Sequence, residues 1–180
     1  QDTDVPAGTA PSYDDNEPTK AATAQYTYSF AGWSTDPDAV TGTLEADLPV
    51  VSDTVIYYAV FTETLNQYTV TYAPGAHGTF TAQVTDNLIY GDATPAAPIV
   101  IGPSGWTFAG WDSTPTATVT GTVTYTATWT QDKYTVTYAP GTQGTFTAQV
   151  TDNLVYGDAT PAAPIVIGPS GWTFAGWDST

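Results

Sequence analysis

The sequence GPSGWTFAGWDST occurs at residues 102–114 and again, letter for letter, at 168–180. The identity extends upstream, because residues 68–114 and 134–180 differ at only three of 47 aligned positions. Those differences are Ala76/Thr142, His77/Gln143 and Ile89/Val155. The chain therefore repeats with a period of 66 residues, and such a period predicts an array of small structural units.

An earlier and more divergent copy precedes these two. FAGW at 30–33 matches 108–111, and TVIYYAVFTET at 54–64 takes the place of TVTYTATWTQD at 122–132. The first interval is 12 residues longer than the second, and we place the insertion between Trp33 and Tyr68. We predict three repeats, which are named first, second and third below: 1–67 without its opening strand, 68–133 complete, and 134–180 truncated before its closing strand.

The two ends of the chain are incomplete in complementary ways. The first repeat has no YTVTY strand, and the third stops after Trp177, before an equivalent of TYTATWT (124–130). Two explanations are open: the chain is a fragment of a longer array, or neighbouring chains donate the missing strands to each other. Because an unpaired sheet edge is a template for another strand, donation predicts a head-to-tail filament.

The strand signals within a repeat are strong and the helix signals are weak. β-Branched or aromatic residues alternate with small polar ones, which is typical of half-buried strands. The predicted strands are YTVTY (68–72, 134–138), GTFTAQVT (78–85, 144–151), WTFAGW (106–111, 172–177) and TVTYTATWT (122–130). Turns rich in Gly and Pro separate them. The fold class is therefore mainly β, with at most one short helical turn near DATPAA or TDNL.

The strand TVTYTATWT has two distinct faces. Val123, Tyr125, Ala127 and Trp129 lie on one face and are expected to point into the core. Threonines occupy the other face, for which we expect contact with water. A hydroxyl array that is O-glycosylated or that binds ice or glycan is the alternative.

The composition excludes several classes of partner. Eighteen acidic residues oppose two lysines, which gives a formal net charge of −16. Nucleic acids and anionic membrane surfaces require clustered cations, so we expect neither as a partner.

The chain has no cysteine and no methionine, which rules out disulfides and thiolate metal sites and is typical of exposed extracellular proteins. No apolar stretch is long enough to insert into a membrane, and the first residues do not have the pattern of a signal peptide.

The repeat as a whole resembles a known bacterial family. The series YTVTYAPGAHGTF, YGDATPAAP, GWTFAGWDS and VTGTVTYTATWT is similar to the InlB B-repeat, or Listeria–Bacteroides repeat. The likeness covers 68–133, the matching part of the third repeat and, less closely, 26–67. It implies β-grasp-like modules in tandem within an exported bacterial surface protein that serves as a stalk or adhesin. It implies no catalytic residues.

The residues able to carry chemistry form no catalytic pattern. His77 is the only histidine and is replaced by Gln143 in the next copy, so we interpret it as a solvated turn residue. We expect the aspartates beside turns to accept backbone hydrogen bonds: Asp86, Asp92 and Asp112, and their copies Asp152, Asp158 and Asp178. We predict no cofactor. Calcium is the alternative, at acidic loops that could converge: Asp14, Asp15, Glu17, Asp36, Asp38, Glu45 and Asp47.

Aromatic residues are the best candidates for binding or for junctions between repeats. Strict alternation puts Trp106 and Trp111 on opposite faces, with Phe108 beside Trp106, so one indole should be buried and the other partly exposed. An exposed indole near a tyrosine is able to stack on a sugar ring, and the alternative is packing against a neighbouring repeat. The candidates are Trp33, Trp106, Trp111, Trp172, Trp177, Tyr90 and Tyr156.

These observations lead to three hypotheses about function. The first is a non-enzymatic stalk or adhesin outside a bacterial cell, with short connections at 62–67 and 130–133 that limit bending. The second is a module that binds a glycan or a host protein through exposed Trp and Tyr. The third is a filament subunit assembled by strand donation. The expected partners are neighbouring repeats, other copies of the chain, and a host glycan or protein.

Overall fold

The computed structural model of the chain describes residues 5–178. Within that range the protein consists of strands and loops, with one three-residue 3-10 turn at Glu45–Asp47. The strands are β1 (Tyr26–Ser34), β2 (Tyr58–Leu65), β3 (Tyr68–Ala73), β4 (Gln83–Leu88), β5 (Trp106–Trp111), β6 (Val123–Gln131), β7 (Tyr134–Tyr138) and β8 (Gln149–Leu154). The prediction of a mainly β protein is confirmed.

The strands form three small sheets. β1 and β2 form an antiparallel pair, β7 and β8 form another, and the four middle strands follow the order β4-β3-β6-β5. β5 and β6 are antiparallel, with Trp106 opposite Gln131 and Trp111 opposite Ala127. No helix among the described residues is long and apolar enough to span a membrane.

The chain divides into two compact units, and their boundaries do not follow the sequence repeats. Unit one comprises Gln1–Thr71, Val84–Ala96 and Thr116–Val123. Unit two comprises Tyr72–Gln83, Ala97–Pro115 and Thr124–Thr180.

Unit one contains the β1–β2 pair and a loop-to-loop contact around Val119. Val60 of β2, Val70 of β3 and Val119 are its most buried apolar side chains. The Val119 loop is held by backbone bonds, since Gly91 N donates to Val119 O at 2.9 Å and Val119 N donates to Asp92 O at 2.8 Å. These bonds fix a segment that has no regular secondary structure of its own.

Unit two contains the β5–β6 and β7–β8 pairs. Its buried side chains include Tyr72, Tyr125 and Ala127. The two-faced character predicted for β6 is confirmed, because Tyr125 and Ala127 are buried and Val123 and Trp129 are half-buried. Threonines on the opposite face are exposed, except Thr126, which is half-buried.

Two predicted strands differ from the observed ones. The strand predicted at 78–85 begins only at Gln83, and its copy begins only at Gln149. The reason is local: Gly78 lies so close to Pro74 that a side chain would collide with it, and Phe80 turns toward Trp111 instead of alternating. The stretch 172–177 forms no strand, although the identical β5 does. β5 is paired with β6, and 172–177 has no such partner among the described residues.

The short helical turn that the sequence allows near DATPAA or TDNL does not form. TDNL lies within β4, where Asn87 adopts a left-handed backbone with φ of 60°. Asn tolerates that conformation better than other residues with side chains, so the strand bends without becoming helical. DATPAA is tied across to the Val119 loop, since Thr94 N donates to Ala117 O at 3.0 Å.

Candidate functional site

Each repeat places the tryptophan of its FAGW motif against a tyrosine and a phenylalanine. In the second repeat, the Trp111 ring lies 4.8 Å from the Tyr72 ring and 5.4 Å from that of Phe108. The third-repeat equivalents are Trp177–Tyr138 at 4.8 Å and Trp177–Phe174 at 5.2 Å. Such edge-to-face and tilted contacts are the favoured geometries of aromatic pairs. Trp111 is therefore part of a small aromatic core, whereas Trp177 makes the same ring contacts but remains 39% exposed.

This arrangement corrects the prediction made from strict alternation. The β5–β6 register shifts between Phe108 and Gly110, and Gly110 has a φ of 122°. The bulge inserts one residue, so Phe108 and Trp111 face the same side although they are three apart. The first repeat has the same bulge, between Phe30 and Gly32. The glycine of the FAGW motif is what directs its tryptophan toward the phenylalanine.

The first repeat obtains its tyrosine from outside any strand. Trp33 lies 4.9 Å from the ring of Tyr13 at 54°, which matches the 4.8 Å and 58° between Trp111 and Tyr72. Tyr13 belongs to an irregular segment, whereas Tyr72 belongs to β3. The sequence predicts only an acidic loop around Tyr13 and carries no signal for this contact.

A cavity of about 990 Å³ opens beside Tyr13 and Trp33 within unit one. Its wall combines aromatic, aliphatic and polar side chains without any cation. The lining residues are Val5, Ala7, Pro11, Ser12, Tyr13, Trp33, Glu45, Leu48, Val51, Ser52, Asp53, Thr54, Val55, Ile56 and Tyr57. Pockets that are mostly apolar with a few placed polar groups are typical ligand sites.

Two carboxylates form the charged part of the cavity wall. Glu45 Oε1 accepts a hydrogen bond from Tyr13 N at 3.0 Å, which ties the 3-10 turn to the aromatic pair. Asp53 Oδ1 accepts one from Thr54 N at 2.7 Å. Each carboxylate keeps a second oxygen as an acceptor. The wall therefore favours ligands that donate hydrogen bonds, and it repels anions.

The other aromatic candidates lie apart from this cavity. His77 stacks on Trp106, with ring centroids 3.5 Å apart and planes at 13°, so His77 is exposed but not a freely solvated turn residue. In the third repeat, Gln143 replaces this histidine, and Trp172 is 58% exposed. Tyr90 is exposed after β4. The structure does not gather these candidates into one site.

Tyr156 marks a contact between the second and third repeats. It remains 65% exposed, yet its side chain lies so close to Gly105 that a methyl group on that glycine would collide with it. Gly105 also has a φ of 82°, a conformation that favours glycine. This contact and the sequence-adjacent connector lie within unit two.

The connectors between repeats are shorter than predicted and are hydrogen bonded. Only Asn66 and Gln67 separate β2 from β3. Asn66 N donates to Gln25 O at 2.9 Å, its side-chain amide donates to Thr23 O at 2.9 Å, and the Tyr68 hydroxyl donates to Ala24 O. These bonds attach the connector to the segment that enters β1.

The second connector, Asp132 and Lys133, is held in a similar way. Asp132 N donates to Gly105 O at 2.9 Å, and Asp132 Oδ1 accepts a bond from the Thr107 hydroxyl at 2.6 Å. Its backbone and side chain are therefore both fixed to the entry of β5. Equivalent positions at the two junctions, Asn66 and Asp132, perform the same task with different side chains.

The turn aspartates satisfy neighbouring donors. Asp92 Oδ2 accepts a bond from Ile89 N at 2.8 Å, and Asp112 Oδ1 accepts one from Thr126 N at 2.9 Å, as predicted. This hydrogen bond to Thr126 N holds the pKa of Asp112 below its ordinary value. Asp86 differs from the prediction, since it accepts from the Thr69 hydroxyl.

Among residues 5–178, no cluster of three or more acidic or histidine side chains is arranged to hold a metal ion. Of the acidic-loop residues proposed for calcium, Glu45 and Asp36 accept backbone bonds from Tyr13 N and Asp38 N.

A scan against family models found no match, and searches of curated proteins and of solved structures found none either. The resemblance to the InlB B-repeat therefore rests on the sequence motifs alone.

Proposed function

We propose that the chain is a non-enzymatic stalk segment of an extracellular bacterial surface protein, in which small β-grasp-like modules follow one another in tandem. The observation that carries this proposal is the pair of two-residue connectors, each hydrogen bonded to the strand entry of the preceding repeat. Two contacts cross the junctions themselves, the bond from the Tyr68 hydroxyl to Ala24 O and the contact of Tyr156 with Gly105, and bending there would break them. Neighbour contacts are what stabilise linear arrays of small repeats.

The shared aromatic triads support the same proposal. Each of the three repeats makes the same contact between a tyrosine, a tryptophan and a phenylalanine, although the backbone around these residues differs. Small modules bury little surface, so such contacts and the connections between neighbours contribute much of their stability. A surface rich in threonine and acidic residues keeps an extended protein soluble.

Spin-label distance measurements test the rigidity that a stalk requires. The chain has no cysteine, so Thr124→Cys in β6 and Val150→Cys in β8 would carry the only two labels. We expect a single narrow distance distribution. Asp132→Ala, which removes the acceptor for Thr107, should broaden it, and a Gly-Ser insertion after Asp132 should broaden it further. A broad distribution in the parent chain would overturn the proposal.

A second candidate function, glycan binding, is favoured by the cavity at Tyr13 and Trp33. The two rings offer apolar faces for a sugar, and Glu45 and Asp53 offer acceptors for its hydroxyl groups. We expect a neutral oligosaccharide rather than a sialylated or sulfated one, because the wall carries only negative charge. A host protein would bind through the same rings.

Titration with neutral oligosaccharides of glucose and N-acetylglucosamine tests this second function, with NMR signals of the tryptophan indoles as the readout. Binding should move the Trp33 signal, and Tyr13→Ala should abolish the shift. Trp172→Ala is the matched control, because Trp172 is exposed but lies outside the cavity lining. Equal loss with both variants would count against the cavity as the site.

Strand donation remains a prediction. Donation would use as its acceptor the exposed stretch 172–177, which forms no strand. Light scattering of the chain with and without an appended TYTATWT strand tests it, and polymers that disappear with the appended strand are the expected result.

A further inference from the structure

Two repeated pairs of isoleucines are among the most exposed large apolar side chains of the described residues. Ile99 and Ile101 are 95% and 80% exposed, and their copies Ile165 and Ile167 are 96% and 85% exposed. Among the other described large apolar residues, only Val40 is exposed to a similar degree, at 86%. Exposed apolar groups that lie together mark interaction surfaces, whereas single scattered ones are normal.

The backbone of these segments is unpaired as well. Ile99–Ile101 belongs to no strand, and no hydrogen bond among the described residues uses its backbone groups. Val100 is half-buried between the exposed isoleucines, so the exposures alternate as in a strand. Pro98 and Pro103 bound the segment, and because proline has no N–H they limit any pairing to the few residues between them.

The segments are also free of charge in a strongly acidic chain. Residues 93–111 and 159–177 contain no Asp, Glu, Lys or Arg, whereas the whole chain carries a formal charge of −16. Like-charged copies repel each other elsewhere on their surfaces. An uncharged segment is the place where two copies approach at the smallest electrostatic cost.

We propose that Ile99–Ile101 and Ile165–Ile167 are docking strands for the same segments of a second copy of this chain. An Ile-Val-Ile segment is complementary to itself in an antiparallel pair, since β-branched side chains pack well across strands and each backbone supplies the donors and acceptors that the other lacks. This inference does not depend on the stalk proposal.

The two segments of one chain make the association multivalent. A single pairing of a few residues buries much less than the roughly 1,200 Å² of a stable interface, so one pair binds weakly and reversibly. Two segments, 66 residues apart in sequence, let a chain engage two neighbours or engage one neighbour twice. After the first contact has formed, the second forms at a high effective concentration, which strengthens the association between the chains.

Sedimentation velocity of the complete chain from micromolar to millimolar concentration tests the proposal. The parent chain should form dimers and larger species, more so in high salt, which screens the repulsion between acidic copies. Replacing all four isoleucines by threonine should weaken association by at least about tenfold. Replacing only Ile99 and Ile101 should leave dimers but remove larger species. The matched control is Val40→Thr with Leu44→Thr, two exposed apolar residues outside the segments.

Hydrogen exchange of the same samples identifies the contact. The amides of Ile99, Val100 and Ile101 should exchange fast in dilute solution and become protected as the concentration rises. The proposal is overturned if the parent chain stays monomeric at millimolar concentration in high salt, if the fourfold variant associates as well as the parent, or if association leaves these amides unprotected. Near-ultraviolet circular dichroism confirms that the variants remain folded.

Discussion

Phe108 and Trp111 lie three residues apart on one strand, yet their rings meet edge to face, with centroids 5.4 Å apart and planes at 70°. In a regular strand, residues separated by three point to opposite faces. The bulge between Phe108 and Gly110 removes that opposition. Phe30 and Trp33 show the same relationship at 5.3 Å and 71°. The FAGW motif therefore encodes a backbone irregularity that unites two aromatic rings.

The first prediction concerns the glycine of this bulge. Gly110→Ala should destabilise the protein by about 1–3 kcal/mol, the usual cost of forcing a side chain into a sparsely populated backbone region. No atom lies within 4 Å of the position that the new methyl group would take, so the effect is conformational rather than steric. Urea unfolding measures it.

Gly121→Ala is the control for that prediction. The site is equally open, but its backbone does not lie in the left-handed region. Its unfolding free energy should stay the same or rise slightly. Equal destabilisation by both substitutions would show that the bulge conformation is not what Gly110 provides.

The parts of the fold that the sequence predicts are those set by local alternation. β3, β5 and β6 are found where the pattern places them, and the two faces of β6 agree with their residues. The strand predicted at 78–85 begins later than expected, because the Phe80 ring packs against the distant Trp111 instead of following the local alternation. Identical sequence at 106–111 and 172–177 gives a strand only where β6 is available as a partner.

The site is less predictable than the fold, because its residues are brought together by contacts between segments that are distant in sequence. Trp33 is predictable from its motif, but its partner Tyr13 comes from an irregular segment with no periodic signal. Glu45 is predictable as an acidic-loop residue, but its bond to Tyr13 N depends on the 3-10 turn in the insertion. The expected alternation of side-chain faces is wrong at the bulge, because one inserted residue changes the face of every side chain that follows.

The second prediction concerns alkaline stability. Burial raises the pKa of Tyr72 above its ordinary value of 10.0, and the nearby Tyr125 raises it further. As the pH rises, the Tyr72 hydroxyl therefore loses its proton in the unfolded chain before it does so in the folded protein. The stability linked to Tyr72 is complete below pH 10 and is lost as the pH rises through 10 toward the higher pKa of the folded state.

Urea unfolding at a series of alkaline pH values tests this linkage. Tyr72→Phe should lose less stability above pH 10 than the parent chain does. Tyr134→Phe, at an exposed position that opens β7, is the control and should follow the parent curve. Parallel curves for the parent and Tyr72→Phe would contradict the prediction.

The third prediction concerns acid stability. The pKa of Asp112 is lowered from 3.8, first by the hydrogen bond from Thr126 N. A carboxylate with a lowered pKa stabilises the folded state above its unfolded pKa, and this contribution is lost as the pH falls through the folded value. Asp112→Asn keeps an acceptor for Thr126 N but removes the charge.

The stability difference between the parent and Asp112→Asn should therefore be constant above about pH 4, near the unfolded pKa of an aspartate, and should shrink as the pH falls further. Thermal unfolding between neutral and strongly acidic pH measures it. Asp178→Asn, at the matching position of the third repeat, is the control. A difference that stays constant down to the most acidic sample would refute the linkage.

The fourth prediction uses the exchange of His77 for Gln143 between otherwise near-identical repeats. The imidazole of His77 covers Trp106 at 3.5 Å, whereas Trp172 is 58% exposed. His77→Gln should expose the Trp106 indole and cost about 0.5–1.5 kcal/mol, the usual value of an aromatic pair. Fluorine NMR of fluorotryptophan-labelled protein, with a soluble paramagnetic agent, reports the exposure of each indole. The reciprocal Gln143→His should shield Trp172. If neither indole changes its exposure, the stack is not maintained in solution and the two residues are interchangeable.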